Sequence, residues 1–384
     1  MIKSLLDNDL QKFALLYAIF TNHYEDYEVS YKFYNRGTQT FDASFLKRFK
    51  RKIQEYKNLK LDRREIDYLK SLKLFKNQDF FTYLENYSLD PSDVVAALNS
   101  GKLSLYISGK WSETVLWEVI LLSLINEVYF GKTKEEWSGE LENYKEKSKL
   151  KVSKILDQTG VPLMEFGTRR RRSPESQLAF LTGAIEAAKE NKCLDLLSTS
   201  NLYLSKELGL PCSGSMNHEW IVAHEALSNE TESNLKAAKA WRKAFIELGV
   251  FLPDTYTSDL CFNNFSEYYA HHYLTMRQDS GDPKVFTDKL YEFYSSVKDP
   301  KIDLDKIGII YSDSINSIDQ SAELVNYAKE KLFQIIKLGI GTWFTNDFEH
   351  SPALNIVIKL YTFNGRTVYK TSDDPNKSTK DALS

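Results

Sequence analysis

Four consecutive arginines, Arg169 to Arg172 in EFGTRRRRS, stand in a chain of 384 residues whose formal net charge is -3. Guanidinium forks suit bidentate grips on carboxylate or phosphate, a task lysine performs less well. Three further turns carry compatible chemistry. RQDSGDP, Arg277 to Pro283, sets Asp279 and Asp282 around a Ser-Gly turn. Such carboxylates suit sugar hydroxyls or a magnesium ion held mainly through substrate oxygens, with Arg277 facing a phosphate. GIGTWFTND, Gly339 to Asp347, offers unshielded backbone amides and the Thr342 hydroxyl, the makings of a phosphate cradle. SGSMNHEW, Ser213 to Trp220, places His218 just after a Ser-Gly-Ser turn, where an imidazole can act as base or nucleophile.

Each motif also has an ordinary reading. A basic run is commonly a solvated face or a nucleic-acid patch, an Asp-Ser-Gly-Asp turn a plain surface turn, and Gly339 the end of a strand. A zinc site at His218, Glu219 and His224 is excluded, because six residues at about 100° each leave the two imidazoles about 240° apart around a helix. The pair His271 and His272 reads as part of a buried or edge strand.

The elements that would position these turns recur from Val161 onward as a short apolar run, a polar turn and an amphipathic helix. The runs are VPLMEF, CLDLL, LGLPCSGSM, ELGVFLP, HHYLTM, KIGIIY and FQIIKL. The first helix opens with Ser173 as N-cap and Pro174 in its first turn. Seven such units predict parallel strands with right-handed crossovers, as an open sheet or a barrel, with ligands at the C-terminal strand ends. Upstream, helices are expected at Asp9 to Thr21 and Pro91 to Leu98, and an alternating strand at Tyr27 to Arg36. A buried helix is expected in ETVLWEVILLSLINEVYF, which Glu118 and Glu127 make unfit to cross a bilayer, and a charged helix around Lys134 to Leu156.

Composition narrows the function classes. An apolar fraction of 42% describes an ordinary globular protein, and a pI near 6.2 argues against wholesale attraction to nucleic acid. Cys193, Cys212 and Cys261 lack metal spacing and suit a reduced compartment, and the acid-bearing start MIKSLLDNDLQKF is not a signal peptide. A cytoplasmic protein without membrane or nucleic-acid partners is expected.

In order along the chain, LLDNDLQKF, EFGTRRRRS, STSN, SGSMNHEW, DTYTSD, RQDSGDP, YSDS, GIGTWFTND and LNIVIKLYTFNGRTVYKTSDDP closely resemble the motifs of the nicotinate phosphoribosyltransferase family. The resemblance implies an irregular α/β barrel of about seven parallel strands spanning residues 126–349. It also implies a second, sandwich-like α/β domain of residues 1–125 completed by 350–384, and a homodimer with shared active sites. The implied reaction joins nicotinate to 5-phosphoribosyl 1-diphosphate with ATP hydrolysis and Mg2+, giving nicotinate mononucleotide for NAD biosynthesis.

By motif, Phe166 would stack on the pyridine ring, and Arg169 and Arg170 would face its carboxylate or the sugar diphosphate. Ser200 would favour the acid over the amide, and His218 would be transiently phosphorylated. Arg277 and Asp279 would hold diphosphate and ribose, Asp313 a ribose hydroxyl or the metal shell, and Gly339, Gly341 and Thr342 the 5'-phosphate. Asp279 and Asp282 are the metal candidates, while Arg171 and Arg172 are left between anion binding and structural ion pairs. Three positions depart from the family pattern: Gln11 replaces a ring-stacking tyrosine, Ser198 a glycine and Asn217 an alanine. The competing readings are a phosphoribosyltransferase for nicotinamide or quinolinate, and a non-catalytic nucleic-acid or partner-binding protein.

Overall fold

The computed structural model describes residues 2–131, 134–246, 248–298 and 300–380. Among these the strands, in chain order, are β1 (Glu28–Asn35), β2 (Val94–Asn99), β3 (Lys102–Lys110), β4 (Leu163–Glu165), β5 (Leu197–Thr199), β6 (Val250–Phe251), β7 (Thr275–Gln278), β8 (Gly308–Tyr311), β9 (Ile335–Ile340), β10 (Ile356–Phe363) and β11 (Arg366–Thr367). They form two sheets in a mixed α/β fold. One is antiparallel, in the order β11-β10-β1-β3-β2, and the other is parallel, in the order β5-β4-β9-β8-β7-β6.

Pattern dictates the difference. In β1, Val29, Tyr31 and Phe33 are buried in alternation with more exposed neighbours, and Leu103, Leu105 and Ile107 do the same in β3, as one-sided sheets require. All four residues of β8 are buried, because crossover helices cover both faces of the parallel sheet. The helix Pro174–Glu190 starts as its sequence demands, with the Ser173 hydroxyl accepting from the Ser176 amide and Pro174 in the first turn. It packs tightly on Lys134–Thr159 at Gly183, where an added Cβ would lie 2.2 Å from the Lys145 carbonyl.

Several expectations change. The stretch Pro91 to Leu98 is not a helix: a single turn, Pro91–Asp93, gives way to β2, and Ser100 and Gly101, both at positive φ, turn the chain tightly into β3. β-branched Val94 and Val95 favour the strand, and paired positive φ values suit a two-residue hairpin turn. Of the seven expected parallel strands, LGLPCSGSM contributes only a bridge between Cys212 and Thr199; CLDLL is mostly a single turn, Leu194–Leu196, with β5 starting at its last residue, and the other five overlap β4, β6, β7, β8 and β9. Pro211 lacks the amide that would extend its pairing. His271 and His272, expected in a buried or edge strand, lie outside any strand, in the turn between the short helix Glu267–Ala270 and β7. Glu247, which opens the fourth expected strand, lies outside the described residues, as do residues 1 and 381–384 of the expected sandwich-like domain.

The helix Trp117–Phe130 ties the two sheets together, packing against β10 and beneath the turn Thr168–Arg170. Among the described residues, no helix is long and apolar enough to cross a membrane.

Candidate active site

The turns that leave β4, β7, β8 and β9 at their C-terminal ends converge on one cleft of about 1250 Å³. From the β4 turn come Phe166, Arg169 and Arg170; from the other three come Arg277, Asp279 and Asp313, and then Gly339, Gly341 and Thr342. A smaller pocket adjoins it, lined by Gln11 and His218 and sharing Arg169, Arg277 and Asp279 with the cleft. The strand-end rule thus collects residues from Phe166 to Thr342 into one concavity.

The arginine run divides in two. Arg169 and Arg170 face the cleft. One Arg169 nitrogen lies 3.2 Å from Glu118, while the Arg170 guanidinium has no hydrogen-bond partner among the described residues. Burial, then repulsion from Arg169 and Arg36, pushes the Arg170 pKa down to about 10, which leaves it a poorly compensated cation. Arg171 turns inward and grips Asp7 with two bonds of 2.7 Å, adding Ser123 and Gln177. Arg172 bonds Asn346 and Ser351 and lies 3.6 Å from the centre of the Phe130 ring. These last two are structural.

Glycine is required beside Phe166. A Cβ on Gly339 would press to 2.6 Å from the Phe166 ring, and one on Gly167 to 2.2 Å from the Thr345 hydroxyl, so both side chains occupy space that a larger residue would take. The Arg277 guanidinium sits 5.3 Å from the Phe166 ring centre and bonds Ser312 and Asp279. Asp279 accepts from Arg277 on one oxygen and contacts His218 Nε2 at 3.0 Å on the other. Burial would raise its pKa, but Arg277 and His218 outweigh that and hold it well below the usual carboxylate range.

His218 opens the helix His218–Ala226, capped by Asn217, whose side-chain oxygen accepts from the Trp220 amide at 3.1 Å. The substitution of asparagine at 217 therefore supplies an N-cap. Thr255 lies 2.9 Å from Nδ1, and Lys370 Nζ 2.9 Å from Nε2. Burial, then the Lys370 charge, pushes the imidazole pKa down to about 4, so it is neutral near pH 7 and carries a lone pair on one nitrogen, with Thr255 or Lys370 as its donor. Asp254, fully buried behind it, accepts from Ser280 and Lys370 and keeps one oxygen unpartnered, 3.8 Å from Nε2.

Two candidate residues are not brought into either concavity. The Ser200 hydroxyl is buried and donates to Asp9 at 2.8 Å, fastening the N-terminal segment to the end of β5. Asp282 caps its own helix, accepting from the Lys284 and Val285 amides. Its carboxylate serves the backbone, so a metal role there has no support in the geometry.

Several site groups were not singled out from sequence: Lys359, Lys370 and Lys377, Arg36, and the buried set Lys12, Glu118 and Glu219. Lys359 has no hydrogen-bond partner among the described residues, and burial, then Lys370, pushes its pKa down to about 7. The available signal was a lysine inside the otherwise apolar alternation NIVIKLYTF. Among the described residues no group of three or more His, Cys, Asp or Glu side chains is arranged to hold a metal ion. Of the carboxylates that line the cleft, Asp279 and Asp313 are already paired with Arg277 and Lys377, Glu118 with Arg169 and Lys12, and Asp347 with Lys151, while Asp374 caps a short turn.

Comparison with known proteins adds an independent line. The model described as nicotinate phosphoribosyltransferase (NAPRTase) family matches residues 161–383, and that of its N-terminal domain matches residues 6–126. A protein of Methanosarcina mazei named nicotinate phosphoribosyltransferase is 35% identical, covering 100% of this chain and 97% of its own. One of the same name from Saccharomyces cerevisiae is 36% identical over 99% and 92% respectively. The crystal structure of nicotinate phosphoribosyltransferase from Porphyromonas gingivalis superposes with a TM-score of 0.89 at 27% identity, covering 99% of this chain and 96% of that one.

Proposed function

This chain belongs to the nicotinate phosphoribosyltransferase family, and we propose that its cleft is the site where nicotinate is joined to 5-phosphoribosyl 1-diphosphate. The observation that carries this reading is the junction at Arg169, Arg277 and Asp279. There the corner bounded by Phe166 meets an arginine-rich cleft on one side and the His218 pocket on the other.

The geometry supports the following roles. Phe166 stacks on the pyridine ring and Arg169 takes its carboxylate. Amides of Gly339 to Thr342 hold the 5'-phosphate, as unshielded backbone donors before a short helix can. Arg170, Arg277 and the nearby lysines receive the diphosphate, whose negative charge grows as the ring nitrogen displaces it from C1' of the ribose. Asp279 and Asp313 face the ribose hydroxyls. A magnesium ion would serve here as the counter-ion of the diphosphate and would be held mainly through substrate oxygens, because Asp279 and Asp313 are already paired.

His218 is the phosphoryl acceptor for ATP. Its neutral ring presents a lone pair that attacks the γ-phosphorus as ADP leaves, and later hydrolysis returns free imidazole and phosphate. The added charge, about -2, would draw on Lys370 and repel Asp279, which touches both the ring and the diphosphate arginine. That contact is a direct physical route by which ATP cleavage changes substrate affinity.

The parallel sheet, extended by the Cys212 bridge, is read as the wall of an irregular barrel of seven segments. Residues 126–349 make up that domain, and 1–125 with 350–384 the second. A homodimer with shared sites and a cytoplasmic location in NAD biosynthesis complete the reading. The test is direct: incubate the protein with nicotinate, phosphoribosyl diphosphate and magnesium, with and without ATP, and identify products by mass. Nicotinate mononucleotide and diphosphate, formed faster with ATP, are expected. Absence of the nucleotide, or preferential conversion of nicotinamide or quinolinate, would overturn the proposal.

A further inference from the structure

A buried ionic chain runs beside the ring corner, and the reaction chemistry above makes no use of it. Arg169 touches Glu118 at 3.2 Å, and Glu118 touches Lys12 Nζ at 2.5 Å. Lys12 also touches Glu219 at 2.5 Å, and the second Glu219 oxygen accepts from the Tyr31 hydroxyl at 2.6 Å and the Trp111 indole at 2.8 Å. The Lys12 side chain is 1% exposed and both glutamates are 10% or less, so water screens these charges poorly.

The charges decide what Arg169 offers to a ligand. Its fork has donors left after the Glu118 contact, and they face the pocket. The same contact puts a negative charge beside the place where a ring carboxylate would bind. With Lys12 in place the four groups sum to zero: Arg169 and Lys12 against Glu118 and Glu219. Without Lys12 they sum to -1, and two glutamates oppose any incoming anion. An amide, carrying no charge, would be nearly indifferent.

We propose that Lys12 is a specificity-determining positioning residue, a buried cation that cancels Glu118 and so leaves Arg169 free to select an acidic ring over its amide. The proposal rests on the assignment of Arg169 to the ring carboxylate. Consistent with it, the Glu118 pKa is held down at about 2 despite burial, by Lys12 first and Arg169 second, so Glu118 remains charged and must be balanced.

The experiment measures dissociation constants of nicotinate and nicotinamide by calorimetry on the full chain carrying Lys12→Met, Lys12→Met with Glu118→Gln, or Arg169→Gln. Lys12→Met should weaken nicotinate about tenfold relative to nicotinamide. The double variant, whose remaining pair again sums to zero, should restore most of the preference, and it also serves if the single variant fails to fold. Equal weakening of both rings by Lys12→Met, or no restored preference in the double variant, overturns the proposal. If Arg169→Gln abolishes the preference while Lys12→Met leaves it intact, only the Lys12 role is lost. If Arg169→Gln leaves the preference intact, the carboxylate assignment itself is wrong and the proposal falls with it.

Discussion

Replacing Arg171 by Met tests whether half of the arginine run is architecture. The side chain is 1% exposed and pairs with Asp7, itself 7% exposed, through two 2.7 Å bonds. Methionine keeps much of the volume but strands Asp7, and removing one partner of a buried pair costs about 3–5 kcal/mol. With about 2.1 cal/mol/K of unfolding entropy per residue, 384 residues give roughly 0.8 kcal/mol/K, so a loss of about 4 kcal/mol lowers Tm by about 5 °C.

The pH dependence gives a second reading of the same change. Burial alone would raise the Asp7 pKa, but Arg171 outweighs it and holds the carboxyl below its ordinary value. In the parent that pair contributes stability above the unfolded carboxyl pKa and loses it as pH falls through the folded one. In the variant Arg171 no longer opposes burial, leaving the Asn201 hydrogen bond as the main group against it, so Asp7 titrates upward and acidification relieves the stranded charge. The Tm deficit should therefore narrow as pH is lowered toward 4. Thermal unfolding between pH 4 and 8, with Michaelis constants for both substrates at pH 7.5, makes the comparison. A Tm within about 1 °C of the parent together with a large rise in the phosphoribosyl diphosphate KM would refute this reasoning and return Arg171 to the site.

Other outcomes are equally checkable. His218→Ala should fold, retain slow nucleotide synthesis and lose ATP hydrolysis, as read by ADP release; undiminished ATP coupling would remove the phosphohistidine role. Lys370→Met removes a cation 2.9 Å from His218 Nε2, so the imidazole pKa should rise from about 4 toward the usual value, followed by NMR. Because that pKa is depressed in the folded state, its contribution to stability is present above about pH 6.5 and is lost as pH falls toward 4. Gly339→Ala forces the Phe166 ring to move and should raise the nicotinate KM several-fold more than that of phosphoribosyl diphosphate. Gln11→Tyr should tighten nicotinate binding if residue 11 forms a wall of the ring slot, and an unchanged KM would count against that placement.

Legibility from sequence followed locality. The turns after β4, β7, β8 and β9 carry their chemistry within a few residues of a strand end, so position and composition together placed nine residues in one cleft. Ser200 lies outside the cleft with its hydroxyl bound to Asp9, some 190 positions away in sequence, which no local pattern announces. Asp282 lies outside it too, because a carboxylate before proline serves equally well as a helix cap. Pro91 to Leu98 read as helix from its first turn, which is real but ends at Asp93, where β-branched residues and the following hairpin prevail. Lys12 and Glu118 gain meaning from each other, and Lys370 from Asp254 and His218, partners more than 100 positions away in sequence.

The antiparallel sheet sets Val29 of β1 opposite Phe363 of β10, and the stretch after β10 carries Lys370 and Lys377 into the cleft. Every strand of the parallel sheet lies between those two partners in the chain. Closing that loop delays a long-range pairing that loop entropy already makes slow. During synthesis the parallel sheet can assemble before β10 has emerged, but the cations that complete the anion cleft cannot be supplied until it has. Competence for catalysis is therefore a late event in biogenesis, and pulse-labelled refolding should show core protection in β8 and β9 preceding recovery of activity.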